Sequence, residues 1–445
     1  MHVQFGKAGL RRRDRKDAPP FRLPAASMSE EDLAPQMPAN AAGPALAVPR
    51  RRAAVSFIMI TVVLDVMAMG MIVPVTPHLV EQMTGGDTAA AAFYVGLFST
   101  AWALMQFLAS PVLGAMSDRF GRRPVILISN VGLALAYVLS ALAPNLILLF
   151  ISRVINGVMA ASMSTASAYI ADVTPPERRA QTFGYIGAAF GTGFVLGPAF
   201  GGTLGDIDIQ LPFWIAAAFS LANAAYGYFV LPESLPPERR TQAFSWKRAN
   251  PVGSLVLLRR HRELFGLASV HFFNSIAHTV FPSVFVLYAG YRYDWSMQMI
   301  GISLGIVGIA NMVVQGGLVR PAVKWLGERR LLLAGLCSAV TAMTIYGLAP
   351  SGWVFWLGVP FGAMWGFYGA SAQALMTRHV TPSEQGQLQG ALGAIVGIAG
   401  MIGPAMFSTV FASTLHEVPG AAFLLAATMM VTAATLAWRV TRREG

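Results

Sequence analysis

Apolar residues run along this chain in long blocks separated by short polar breaks. Twelve blocks can be drawn, at 54–80, 92–116, 124–143, 146–170, 183–204, 213–231, 264–288, 297–319, 331–349, 354–376, 389–411 and 421–439. Each is close to the ~20 residues that an α-helix needs to cross the ~30 Å hydrocarbon core of a bilayer. Lipid offers a backbone no hydrogen-bonding partner, and a helix satisfies its own. The pattern therefore predicts an all-α membrane protein of twelve transmembrane helices.

Composition agrees. Only 12% of the residues are charged and 55% are hydrophobic, whereas a soluble chain carries roughly a quarter charged residues. The net charge of +11 does not point to nucleic acid, because the basic residues are spread over short loops rather than gathered on one face. Arg50, Arg51, Arg52, Arg119, Arg122, Arg123, Arg178, Arg179, Arg239, Arg240, Lys247, Arg248, Lys324, Arg329, Arg330, Arg378 and Arg442 all fall on alternate breaks, while Arg292 falls on the other set. That is the positive-inside bias, and it predicts that both termini are cytoplasmic. The expected organisation is a disordered basic tail (1–52), a six-helix bundle (53–231), a cytoplasmic linker (232–262), a second six-helix bundle (263–440) and a short tail (441–445). Met28 offers a second start, and no cleavable signal peptide is expected, since the first apolar block is long and lacks a small-residue cleavage site. Cys337 stands alone in an apolar run, so neither a disulfide framework nor a Cys/His metal site is expected. No phosphate loop or nucleophile–base set is present, so an enzyme, a cofactor or ATP drive is not expected.

The chain repeats itself. Gly121 recurs as Gly327, Gly184 as Gly390, Gly187 as Gly393, and Gly197-Pro198 as Gly403-Pro404, each displaced by 206 positions. Val173-Thr174-Pro175-Pro176-Glu177 recurs as Val380-Thr381-Pro382-Ser383-Glu384 with a one-residue slip. Two six-helix halves are the economical explanation, an arrangement that places a binding site near the bilayer midplane between them.

Several polar residues interrupt this background. After the second block the chain reads Gly114-Ala-Met-Ser-Asp118-Arg119-Phe-Gly121-Arg122-Arg123. The glycines permit a tight turn and close approach, and Asp118 can accept charge-assisted bonds from basic neighbours, which makes a latch for one face. The plainer alternative is that the arginines only set topology. Asp172, ending the fourth block, either joins this cluster or is an ordinary solvated end.

Asp65 lies about a dozen residues into the first block, near mid-membrane by a rise of ~1.5 Å per residue. A carboxylate there is costly unless paired, hydrated or protonated, so proton or substrate coupling is expected of it. Arg153, inside the fourth block, sits at a similar depth and is the expected partner, the alternative being a static salt bridge.

His271, Asn274 and His278 form one stripe at i, i+3 and i+7. With Gln106, Asn311, Gln315, Trp365, Tyr368 and Gln373 they are candidates to line a central substrate cavity, or else to bond between helices. Gly193, Gly197-Pro198 and Gly201 form a glycine face repeated at Gly403-Pro404, read either as a hinge or as a packing surface.

The Gly114–Arg123 stretch, the Leu64-Asp65 to Pro77 run, Arg153-Val-Ile-Asn156-Gly157, the Gly-Pro face and Glu384-Gln-Gly386-Gln387-Leu-Gln389-Gly390 resemble the major facilitator superfamily, and within it the tetracycline-resistance type of drug/proton antiporter. The resemblance spans about 54–440. It implies a monomeric inner-membrane exporter that exchanges a drug-like or amphipathic molecule for protons by alternating access. Three positions depart from that group. Ala136 replaces an acidic residue, Asn311 a histidine and Ala339 an acidic residue, side chains associated with handling the metal-bound antibiotic. A different cargo follows, with about one proton per cycle. A transporter of a sugar or siderophore, and a non-transporting membrane sensor, are the rival expectations.

Overall fold

The computed structural model describes residues 48–160, 162–241, 253–260, 262–381 and 384–442. The tail 1–47, residue 161, the middle of the linker (242–252), residue 261, Pro382-Ser383 and the end 443–445 lie outside the described residues.

Ten helical stretches are long and apolar enough to cross a membrane. One of them, Met297–Leu348, is 52 residues long and folds at Gly327, whose φ of 72° and ψ of 162° leave the helix. It is two crossings. A further crossing is cut into Gly352–Leu357, Val359–Met364 and Phe367–Arg378, pieces too short to qualify singly. The number comes to twelve, as the apolar blocks predict.

We number the crossings α1 to α12. In the first half α1 is Val48–Ile72 with Val75–Met83, α2 is Thr88–Phe120 and α3 is Arg122–Ala141. There α4 is Leu146–Ala160 with Ser162–Val173, α5 is Arg179–Ile207 and α6 is Leu211–Val230. In the second half α7 is Arg262–His278 with Val280–Tyr293, and α8 starts as Met297–Val313. Gly327 ends α8 and opens α9, which runs to Leu348. The three pieces at 352–378 are α10, Gln385–Thr414 is α11 and Ala421–Thr441 is α12.

Most helices outrun their apolar blocks, because an α-helix satisfies its own backbone and can continue past the edge of the lipid. At the start of α2 Asp87 caps the helix, accepting from the Ala90 N–H at 3.0 Å. The first helix begins at Val48, so the end of the expected tail is helical.

The repeat is physical. Gly121 and Gly327 both take positive φ, at 107° and 72°, and both turn one crossing into the next. The first pieces of α1 and α7 stop at Ile72 and His278, again 206 residues apart.

Within the first half, the glycine face of α5 lies on α1. A Cβ at Gly193 would strike Val66, one at Gly197 the backbone of Gly70, and one at Gly201 the backbone of Met71. Both α5 and α11 run unbroken through Pro198 and Pro404. Gly193, Gly197 and Gly201 thus form a packing surface against α1 in this conformation. Gly403 packs likewise, against Thr279 at the break in α7.

The halves meet along α2 with α11 and α5 with α8. Toward the face opposite the basic loops this seam is shut. A Cβ at Gly96 would strike Ser408, one at Gly202 Met297, and one at Gly301 Pro198. Toward the basic face it opens. Gly184 and Gly187 of α5, Gly316 and Gly317 of α8, and Gly386 and Gly393 of α11 have nothing within 4 Å of a Cβ, and the segments around them are exposed.

Candidate functional site

Asp65 is half-buried on α1, and its Oδ1 accepts a 2.7 Å hydrogen bond from the Asn223 amide of α6. Asn223 is fully buried and also donates to the Thr61 carbonyl at 3.2 Å, which fixes the amide against α1. Its own Oδ1 finds no partner. Sequence reasoning missed Asn223. A polar residue within the apolar run of α6 is the signal that would have found it.

The expected Asp65–Arg153 pair is not formed here. Among the described residues no cation lies within ion-pair distance of Asp65, and the buried Arg153 donates to Ser140 Oγ at 3.1 Å. Ser140 in turn meets Ser152 at 2.8 Å. The buried Tyr137 of α3 feels the charges of both Arg153 and Asp65. Similar depth along two helices does not make contact, because depth leaves open which way each side chain points about its helix axis.

At the basic face the latch residues do assemble. Arg122, at the start of α3, reaches Asp118 Oδ1 at 2.6 Å and Asp172 Oδ2 at 3.2 Å, and donates to Ser117 Oγ at 2.6 Å. Asp172 thus joins the cluster rather than ending α4 in water alone. Arg123 turns away, donating to the Tyr228 carbonyl at 2.6 Å and lying over that ring. Arg119 stays outside, against Phe120. Gly121 makes the tight turn, whereas Gly114 touches nothing and contributes its carbonyl to Ser117.

A second missed residue completes this corner. Glu233, just after α6, accepts from the backbone N–H of Arg122 at 2.9 Å, of Arg123 at 3.3 Å and of Leu235 at 3.0 Å, and pairs with Arg240 at 3.8 Å. A carboxylate there satisfies the exposed N–H groups of α3 and complements its positive end. It also explains Gly121 twice over, since a Cβ would strike the Glu233 carboxylate.

At three of the equivalent positions the other half carries the opposite sign, while Arg123 keeps its sign as Arg329. Asp118, Arg122 and Asp172 correspond, 206 residues on, to Lys324, Glu328 and Arg378. Glu328 and Arg378 are paired at 2.7 Å, as Arg122 and Asp172 are.

The cavity candidates divide. Trp365 Nε1 donates to Asn274 Oδ1 at 2.8 Å, and His271 Nδ1 meets Tyr368 OH at 3.0 Å. These four tie α7 to α10, with Asn274, Trp365 and Tyr368 buried and His271 partly exposed. His278 is exposed at the break of α7, its ring 5.2 Å from that of Trp365. Gln106, Asn311 and Gln373 are partly exposed and Gln315 is exposed, none with a side-chain hydrogen bond among the described residues. Gln315 lies in a π-helical turn, Val314–Leu318, a local widening often found where helices serve a function.

Two matched six-helix halves, joined at one face and parted at the other, with a carboxylate inside the first half, define a membrane transporter by architecture. The chain belongs to the Major Facilitator Superfamily, whose family model matches residues 58–404. The class C tetracycline resistance protein of Escherichia coli is 35% identical over 369 residues, 83% of this chain and 92% of that one. The class G protein of Vibrio anguillarum is 34% identical over 354 residues, 79% of this chain and 88% of that one. Among solved structures, a bacterial homologue of the human lysosomal transporter Spinster, inward-facing and unoccupied, matches with a TM-score of 0.72 at 17% identity, over 89% of this chain and 98% of that one. The human organic anion transporter MFSD10 (TETRAN) matches with 0.67 at 24% identity, over 87% and 99%. These two share the fold.

Proposed function

We propose that this chain exports a drug-like or amphipathic small molecule in exchange for protons, by alternating access. The observation that carries the reading is Asp65, a carboxylate at mid-depth held by a neutral amide and paired with no cation. Charge at that depth is costly unless bonded or hydrated, so gaining or losing a proton changes the stability of the helices around it. In the cycle, Asp65 takes a proton from the far face, and cargo entering from the basic face displaces it. The cargo drives the change only by binding the two states differently.

The basic face is the cytoplasmic one on the positive-inside rule, with both termini there and the chain in the cell inner membrane as a monomer. Arg153 acts through Tyr137 rather than by direct contact. The Asp118–Arg122–Asp172 cluster gates the cytoplasmic side.

The names of the relatives favour an antibiotic-like cargo. Ala136, Asn311 and Ala339, which stand where the resembled group carries acidic and histidine side chains, favour a cargo other than tetracycline. The same three residues support a second reading, in which the cargo is a metabolite such as a sugar or siderophore and deletion leaves antibiotic susceptibility unchanged.

The test is reconstitution in vesicles under an imposed pH gradient, with compounds including Mg-tetracycline screened for proton release triggered by substrate. Asp65→Asn is expected to abolish that release; normal proton exchange by this variant sinks the mechanism.

A further inference from the structure

Asp206 sits in the last turn of α5, where a negative charge opposes the dipole of its own helix. Nothing in its own half accounts for it. Its neighbour Asp208 serves the local turn, accepting from the Gln210 N–H at 2.7 Å. The Asp206 carboxylate instead crosses to the other half and accepts from the first two N–H groups of α8, Met297 at 3.1 Å through Oδ1 and Gln298 at 3.1 Å through Oδ2. Ser296, the cap of α8 itself, takes the third, from Met299 at 3.2 Å. The free donors that begin a helix are thus shared between its own cap and a carboxylate from the opposite half.

The approach is built into α5. Gly202 and Gly205 lie one turn and one residue before Asp206; a Cβ at Gly202 would strike the Met297 backbone, and one at Gly205 would meet Val75 and the end of the Met297 side chain. Side chains there would hold the carboxylate away from α8. The other seam carries no such charge. Position 412 of α11, the repeat equivalent of Asp206, is Ala412, and α2 and α11 meet through Gly96 with Ser408 and through Thr100 Oγ1 donating to the Met401 carbonyl at 3.2 Å.

We propose that Asp206 is the latch of the face opposite the basic loops, holding the halves together there by capping α8 across the seam. This rests on the alternating-access reading above. Opening that face separates α5 from α8, so both bonds break and water from the adjoining cavity of about 420 Å³, lined by Gln82, Asp206, Asp208, Gln210 and Met297, replaces them. The exchange for water keeps the latch reversible. Losing it tilts the balance of states toward opening at that face.

The experiment measures spin-label distances in lipid nanodiscs, with the exposed Cys337 first replaced by serine. One label pair, at Pro144 and Glu417, reports the latched face; another, at Glu177 and Gln387, reports the basic face. Asp206→Ala and Asp206→Asn are expected to lengthen the first distance and shorten the second, raising the ratio of outward-open to inward-open molecules about threefold or more, while Asp206→Glu stays near wild type. Met297→Pro deletes one of the two donors at a position where proline is tolerated, and should shift the ratio the same way without touching the carboxylate. If an Asp206 variant fails to reach the membrane, Met297→Pro decides alone. Distance distributions unchanged in these variants, or effects of Asp206→Ala and Met297→Pro that simply add, overturn the latch.

No cargo or proton flux is read, so the two ideas can fail separately. A wild type that shows two populations but exports no drug keeps the latch and loses only the cargo. A wild type locked at one pair of distances loses alternating access, and the gating role of Asp206 with it.

Discussion

Arg122 and Asp172 meet at 3.2 Å where α3 begins and α4 ends, and Glu328 and Arg378 repeat that meeting at 2.7 Å in the other half with the charges exchanged. The two halves therefore hold equivalent ion pairs with the charges exchanged on one basic face, and a paired carboxylate at each site is more than topology asks for. A surplus of arginine would have sufficed for topology.

The Arg122 cluster gives the first prediction. Arg122→Ala removes bonds to Asp118, Asp172 and Ser117 together, while Asp172→Asn removes one partly exposed pair. Pairs of that kind are worth up to ~1 kcal/mol, so Asp172→Asn should slow transport by about fivefold or less and Arg122→Ala by more. The double swap Arg122→Asp with Asp172→Arg should recover part of the Asp172→Arg loss. Initial rates in vesicles decide it, and a swap no better than the worse single variant removes the pair from the mechanism.

Glu233 gives a prediction about stability. Its carboxylate caps α3 and holds the end of α6 beside it. Loss of such a cap costs about 0.5–2 kcal/mol, so Glu233→Ala should lower the thermal midpoint in detergent by several degrees. Glu233→Gln should lose less. Identical melting of wild type and Glu233→Ala contradicts the capping role.

Asn223 gives a prediction about coupling. Without its amide, Asp65 keeps its place on α1 but loses its one hydrogen bond. A hydrogen bond to a charged group is worth about 1.5–3 kcal/mol, so Asn223→Leu should reduce proton release by an order of magnitude or more with the protein still in the membrane. Asn223→Asp places a second carboxylate beside the first and should alter the pH profile of transport. Unchanged release by Asn223→Leu breaks the link between α6 and the proton.

The glycines give a contrasting pair. Gly201→Ala pushes a methyl group onto the Met71 backbone, and overpacking of this kind costs about 1–3 kcal/mol or more, so folded yield by fluorescence-detected size exclusion should fall. Gly184→Ala meets nothing in this conformation and should fold normally. Equal yields would mean that α1 and α5 are not as close as the packing indicates.

Much of the site could be read from residue order. Gly121 and Gly327 were legible as turns because only glycine takes their backbone angles cheaply, a property independent of distant contacts. The stripe His271, Asn274, His278 was legible from helical spacing, as were Trp365 and Tyr368 as polar-tipped aromatics. Their mutual pairing was not, since α7 and α10 are brought together by rotations about their axes that spacing leaves open. Asp65 was legible as a charge in an apolar run. Its partner was assigned to Arg153 on depth alone, and depth does not say which way a side chain points about its helix.

By itself, then, the order of residues determined twelve crossings, their doubling at 206 positions, the basic face and the carboxylate at mid-depth. Each of these is a local property: run length, turn chemistry or the cost of charge in oil. Tertiary structure alone decided that Asn223 holds Asp65, that Glu233 caps α3, that Arg153 turns to Ser140, and that Asp206 reaches α8. The reason is that a membrane helix is apolar toward lipid and toward its neighbours alike, so the contrast that reveals the inner face of a soluble helix is weak, and partners are chosen by packing.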